Sequence, residues 1–495
     1  MIWIDFALLW YACFRVCLNQ FGWAFKWEKA SLAFMLALAF KSLFLFSLIR
    51  SGIKPVAFIQ IGLSIVVFIF TLFLQNRPSI EEVKSRNKKL SWFTLFLVAV
   101  LFILSMVNAW FFPITESDAI WYHIRGMSFY NEVRFDSALV VPQLQQYPPF
   151  IPLLFVYLVA FKVGFLKIFF PLLNLSLNIV FYSRVLYLTE NKKLACLFTM
   201  ILATTPYFWW HGILPFLDLT TAVFYSIGIL YWYCWIQSEM ENSILNHKNS
   251  YSLVSGIFLG LAAWTRIEFL LYDLVPIFLT ILTFSRHRDN VNGLKSLGLF
   301  LSAILIFPSI WFLNLLTFKM NIWSQIKIMG VTCSFLWVLT LGLVWGKWKF
   351  SELNLRFLFM VSILGYFVLL LLAETGAVPV WKKFLISLYR TSTVHVFYLF
   401  TPFLVIFIFF EKFKFLPEIK KTLGCFLILF LFVHLAIFAY ANPKWPNIGQ
   451  FFYATFIQPG NSINLSDTRG IMSFYPVFIF FISSLPFVSE KVIND

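Results

Sequence analysis

Apolar residues fall along this chain in unbroken runs, not in alternation. Such runs lie near 3–17, 31–49, 55–75, 91–112, 168–187, 195–211, 218–237, 252–265, 268–284, 296–316, 328–345, 357–373, 394–410, 423–441 and 471–488, separated by short polar stretches. Most have the length that carries a helix across a hydrocarbon core, about 17–25 residues. In lipid only helices and closed barrels satisfy their backbone groups, and barrel strands alternate where these runs do not. The pattern predicts an all-α fold, a polytopic transmembrane helical bundle. The two pieces within 252–284 are short enough to form one helical hairpin. One further run, "PPFIPLLFVYLVAFKVGF" (148–165), is apolar enough to cross. Crossing there would flip the basic "TENKKL" (189–194) to the wrong side. A helix lying in the interface, or dipping in and returning, fits better, and Pro148, Pro149 and Pro152 suit an angled entry.

The polar stretches supply orientation. "NRPSIEEVKSRNKKL" (76–90), "SRHRDNVNGLK" (285–295) and "EKFKFLPEIKK" (411–421) concentrate Lys and Arg, which marks them as cytoplasmic. Residues 113–167 and 442–470 then lie outside. Domain organisation follows: 1–90 are N-terminal membrane helices of unassigned role, 91–295 a membrane core with the external loop 113–167, and 296–495 C-terminal membrane helices with the external loop 442–470.

Composition agrees with this reading. The chain of 495 residues is 61% hydrophobic and 21% aromatic, well beyond the roughly half-apolar balance of soluble domains. The formal charge of +16 is explained by the basic cytoplasmic loops, and no basic stripe with interleaved aromatics points to nucleic acid. Six cysteines (Cys13, Cys17, Cys196, Cys234, Cys333, Cys425) all fall in apolar runs without metal-ligand spacing. They read as small buried hydrophobes. The first run lacks a basic leader and a cleavage site, so it reads as a retained anchor. An integral multi-pass protein is expected, most simply in a bacterial inner membrane.

Against this background "PITESDAIWYHIRG" (113–126) stands out, with two acids, a histidine and an arginine at the exit of an apolar run. "TESD" matches a capping box with Thr115 as cap and Asp118 in the first turn, so Asp118 has a purely structural explanation. On a helix, however, Tyr122 and Arg125 share its face, setting a carboxylate, a phenol and a guanidinium in line. Glu116 precedes Asp118 by two, and His123 points elsewhere. Asp218 heads an apolar run, either for the helix dipole or for function. Arg266 and Glu268 stand between two apolar half-spans, as a mutual salt bridge or as site residues. Arg469 begins the last run, as an interface anchor or a ligand.

These stretches resemble a family. Asp-Ala-x-x-Tyr-His after a membrane helix, followed by Tyr-Pro-Pro, is similar to the first external loop of GT-C-class membrane glycosyltransferases, among them protein mannosyltransferases and the aminoarabinose transferases of lipid A. Asp218 resembles that group's second acidic position. "GLAAWTRIE" resembles its Gly-Leu-Ala-Ala-x-Thr-Lys-x-Glu segment, with Arg266 where Lys is common, and "SDTRGIMSFYP" its late Ser-x-x-x-Arg motif. The resemblance covers about 91–285 and touches the C-terminus once. It implies a GT-C-like bundle with interfacial helices in the first external loop, a polyprenyl-phosphate sugar donor, and a glycan, lipid or protein acceptor, with no nucleic acid. Many relatives carry Asp-Glu where this chain has Asp118-Ala119. Glu116 offers a second acid from the other side, no metal ligands are assigned, and dependence on a divalent metal stays open.

The implied chemistry is an inverting transfer. Asp118 is the base for the acceptor hydroxyl, the departing phosphate is stabilised by Arg266 and Arg469 with Arg125 third, and Glu116, Tyr122, Asp218 and Glu268 contribute to substrate binding. Outer aromatics, Trp121, Trp209, Trp210 and Tyr453 among them, serve either as sugar platforms or as an interfacial belt. The rival reading is a transporter or flippase, which needs ionisable groups at mid-span on interrupted helices; Lys41 and Arg184 do lie in or near apolar runs. An O-antigen ligase or polymerase is a second rival, although its large external loop would normally lie late in the chain.

Overall fold

A computed structural model describes residues 1–21, 24–74, 92–136, 145, 147–240, 248–286, 291–317, 324–344, 419–420, 422–427, 429–430, 433 and 471–485. Among the described residues there is no strand. In chain order the helices are α1 (Ile2–Gln20), α2 (Lys26–Arg50), α3 (Ala57–Leu72), α4 (Trp92–Phe111), α5 (Ser117–Glu132), α6 (Phe150–Ala160), α7 (Phe169–Thr189), α8 (Lys192–Thr204), α9 (Pro206–His211), α10 (Leu217–Met240), α11 (Lys248–Thr265), α12 (Phe269–Tyr272), α13 (Leu274–Arg286), α14 (Val291–Thr317) and α15 (Ser324–Val344). A 3-10 turn (Ile471–Ser473) leads into α16 (Phe474–Ser483). Five of these elements, α1, α2, α7, α10 and residues 295–317 of α14, are long and apolar enough to cross a membrane.

Helix α10 is the axis of the bundle. It is enclosed along its length and packs against α7, α11 and α16. A helix with no exposed face must be apolar all round, and its polar residues pair inside. Thr221 and Thr265 hydroxyls meet at 2.7 Å, and the Trp232 indole donates to Thr280 at 2.8 Å. Next to it, α11 approaches α14 so closely that a Cβ on Gly260 would lie 2.7 Å from the Ile304 carbonyl oxygen. Only glycine fits this crossing. The expected hairpin within 252–284 is present. The chain turns at 266–268, and α12 and α13 return alongside α10, with Tyr225 near one end donating to the Tyr272 carbonyl at 3.2 Å and Trp232 meeting Thr280 further along.

Helices α1, α2 and α3 do not stand apart from the core. Glu28 of α2 pairs with Arg184 of α7 at 2.6 Å and accepts from Tyr231 of α10 at 2.6 Å, with both charged side chains fully buried. Asp5 of α1 pairs with Lys41 of α2 at 2.8 Å, again with no exposure. Ser64 of α3 and Tyr157 of α6 each donate to Asp5 at 2.6 Å. A charge at membrane depth is tolerated only when paired and hydrogen-bonded, and these two networks meet that condition. All six cysteines are free thiols, four buried and two half-buried.

Three local expectations are corrected. The run 195–211 is two helices, because Pro206 pushes Thr205 out of the helical region and starts α9 afresh. Thr115 is not the cap of α5: the cap position is Glu116, no side chain caps it, and the Thr115 hydroxyl bonds Glu116 at 3.1 Å instead. Finally, α6 does not lie flat with one face in the interface. At 11 residues it is only about 16 Å long, half a bilayer, and all but Val159 are buried. It is a short helix enclosed by protein.

Candidate functional site

The α10 helix fixes the ends of the site's frame. Asp218 sits in its first turn and Glu239 in its last, about 32 Å apart at 1.5 Å per residue. Around Glu239 gather Trp235, Lys248 and Ser296, all within 3.3 Å, a closed set of partners. Around Asp218 the picture differs, because charged and phenolic groups from four chain segments converge there, some of them partly exposed.

The Arg266 guanidinium, at the end of α11, contacts Asp218 Oδ1 through Nη1 at 2.8 Å, while its Nε lies 3.9 Å from Glu268 Oε2. Side-chain exposures of 15% for Arg266, 7% for Asp218 and 22% for Glu268 show a mostly buried group that is neither sealed nor freely solvated. Arg266 Nε and Glu268 Oε2 are buried and make no hydrogen bond among the described residues, facing each other at 3.9 Å. Tyr147 joins from the segment before α6 and is hydrogen-bonded to the Glu268 carboxylate, whose charge, with burial, pushes the phenol upward.

Asp118 and Tyr122 enter from α5. Burial raises the Tyr122 phenol well above its usual value, and the charges of Asp218 and then Asp118 push the same way, against Arg266. Tyr122 is therefore the hinge between the α5 acid and the Asp218–Arg266 pair. The sequence-level grouping of Asp118, Tyr122, Asp218, Arg266 and Glu268 is a spatial cluster. Tyr147 was not among the site residues named from sequence, although the Tyr-Pro-Pro stretch around it was the available signal.

Arg125 takes a different place. It is fully buried, and its Nη2 donates to the carbonyls of Gln145 at 3.2 Å and Tyr147 at 2.7 Å. Its guanidinium lies over the rings of Phe129 and Trp311, and burial lowers it to about 9. It braces the Tyr147 backbone and does not face the acids. Beside it Gly126 lets α5 touch α6, since a Cβ there would fall 2.7 Å from the Pro152 carbonyl oxygen. His123 packs edge-on against Phe155, and burial lowers it. Glu116 turns away as well, into a cavity of about 210 Å³ with Asn108, Lys167 and Trp210. It is not a second acid beside Asp118. Arg469 and Tyr453 lie outside the described residues.

Asp218 and Glu268 put two carboxylates beside one guanidinium, and Tyr122 relates Asp118 to them. Among the described residues, no three acids, histidines or cysteines converge closely enough to hold a metal ion; Arg266, between Asp218 and Glu268, supplies the counter-charge. Such an arrangement can accept a proton from a hydroxyl, orient polyols through carboxylates and phenols, and offer guanidinium N–H groups to an anion. No family model, no curated protein and no solved structure matches the chain.

Proposed function

We propose that this protein is a multi-pass membrane glycosyltransferase of GT-C-like architecture. It transfers a sugar from a polyprenyl-phosphate donor to an envelope acceptor on the outer face of the membrane. The observation that carries this reading is the convergence of Asp118, Tyr122, Tyr147, Asp218, Arg266 and Glu268 from four remote segments into one partly buried cluster.

In the proposed reaction the acceptor hydroxyl attacks the anomeric carbon while Asp118 takes its proton. The bond to the donor phosphate breaks with its electron pair going to the phosphate oxygen, so the configuration inverts in one displacement. The leaving group departs as an anion and needs cationic stabilisation, not a proton. Arg266 supplies it through the N–H that Asp218 leaves unused. Asp218 fixes the guanidinium plane, and Glu268 with Tyr147 accepts and donates to sugar hydroxyls.

A transporter or flippase reading draws on the charges within the spans, Asp5–Lys41 and Glu28–Arg184. Both pairs are closed by further hydroxyl donors, a static arrangement that supports the enzyme reading more than a moving charge. The deciding experiment supplies purified protein with radiolabelled polyprenyl-phosphate sugars and envelope extract. Acceptor labelling by wild type and not by Asp118→Asn supports the proposal; no labelling by wild type from any donor overturns it.

A further inference from the structure

Glu116 leads to a second place on the molecule. The cavity it lines, about 210 Å³, opens where the ends of α4 and α9 meet the turn before α7. That is room for about seven waters, the size of a single sugar ring with its hydroxyls. Lys167 is 3% exposed at its wall, and its ammonium donates to Asn108 Oδ1 at 2.8 Å and the Pro113 carbonyl at 3.3 Å. Burial lowers this lysine, and the Glu116 carboxylate opposes the shift. Trp210 is 56% exposed at the rim, whereas neighbouring Trp209 is tied to the Leu101 carbonyl of α4. One wall is Leu214, which packs with Ala119, Phe216 and Ile114. Ala119 follows Asp118 and Phe216 precedes Asp218 by two, so this thin apolar cluster parts the cavity from the acid cluster.

We infer that this cavity is a binding site for a neutral saccharide unit, held by Trp210, Glu116 and Lys167. The inference rests on the transferase reading for its role, as the subsite for an acceptor sugar beside the reacting hydroxyl. Its chemistry stands on the cavity itself. One cation and one carboxylate face the same space, so a phosphate attracted by Lys167 is repelled by Glu116. A neutral polyol gains from both, since hydroxyls donate to the carboxylate and accept from the ammonium. The indole face offers the flat apolar surface on which the C–H face of a sugar ring stacks.

The test uses the full-length protein in nanodiscs and saturation-transfer NMR. The probes are a panel of neutral methyl hexosides and pentosides, with inorganic phosphate as the anion control. At least one glycoside should receive saturation on its ring protons, and phosphate should not displace it. Trp210→Ala should weaken binding at least about tenfold, Trp210→Phe should restore most of it, and Lys41→Met, remote from the cavity, should bind as wild type does. Saturation of no glycoside, binding that survives Trp210→Ala, or displacement by phosphate would each overturn the inference, the last in favour of an anion site at Lys167. Binding without any sugar transfer by wild type would sink the transferase reading and leave the saccharide site standing. Transfer without such binding would do the reverse.

Discussion

Replacing Lys41 by methionine removes an ammonium from a pair with no exposure on either side chain and keeps the apolar stem. Asp5 is then an unpaired buried carboxylate. Removing one partner of a buried ion pair destabilises by about 3–5 kcal/mol. Here the Ser64 and Tyr157 hydroxyls still donate to Asp5 at 2.6 Å, so the loss belongs at the lower end, about 3 kcal/mol. Adding Asp5→Asn removes the orphan charge, and the double variant should return to within about 1 kcal/mol of wild type, because replacing both partners of a buried pair is often nearly neutral. The assay is unfolding by SDS titration in mixed micelles, followed by tryptophan fluorescence, with all four members of the cycle. A Lys41→Met loss under about 1 kcal/mol, or a double variant as unstable as the single, would refute the reasoning. The cycle also bears on function: the enzyme reading expects the double variant to keep its activity. A stable but inactive double variant would make this pair part of a transport or proton route.

Four further outcomes follow from the site. Asp118→Asn preserves shape and removes the base, so sugar transfer should fall about 10²–10⁴-fold at unchanged expression; near wild-type turnover would return Asp118 to a structural role in α5. Arg266→Gln should weaken donor use about 10–150-fold, the equivalent of a charge-assisted hydrogen bond, and a cycle with Asp218→Asn should show non-additive losses because the two side chains are in contact. Arg125→Met keeps an apolar stem and removes both bonds to the Gln145 and Tyr147 carbonyls; it should lower kcat through a displaced Tyr147 without abolishing donor binding, and an unchanged kcat would deny the bracing role. In intact cells a cysteine at Ser117 should react with an impermeant maleimide and one at Lys193 should not; the reverse pattern would invert the orientation drawn from the basic loops.

Much of the fold was legible because unbroken apolar runs leave few alternatives to helices. The departures came where a few residues override a run. Pro206 splits one helix in two, and the 11 residues of α6 look like interface from composition but are enclosed by neighbours that no local pattern reveals. The site was legible to the extent that charges in apolar surroundings are conspicuous, which singled out Asp118, Asp218, Arg266 and Glu268. Arg125 was misplaced for a geometric reason. Seven residues bring it back to the Asp118 face but also about 10 Å along the axis, where Gly126 lets α6 cover the helix. Tyr147, Lys167 and Trp210 carry no periodic signal, since their positions depend on which chain ends meet across the bundle.

The enclosure of α6 also bears on how the chain is made. A segment this apolar and this short is attractive to the insertion machinery yet unable to bridge it, since its span is half of what a stable crossing needs. Left alone in lipid, its end groups would face hydrocarbon without partners. Much of its resting place is formed by α2 and α5, both translated before it, and Tyr157 is one of the residues it must deliver to Asp5. Biogenesis is then expected to follow an order, in which helices inserted earlier hold a place for a helix translated about a hundred residues later. Deleting α1 and α2 should strand α6 and expose the nascent protein to membrane proteolysis before any catalytic defect can be measured.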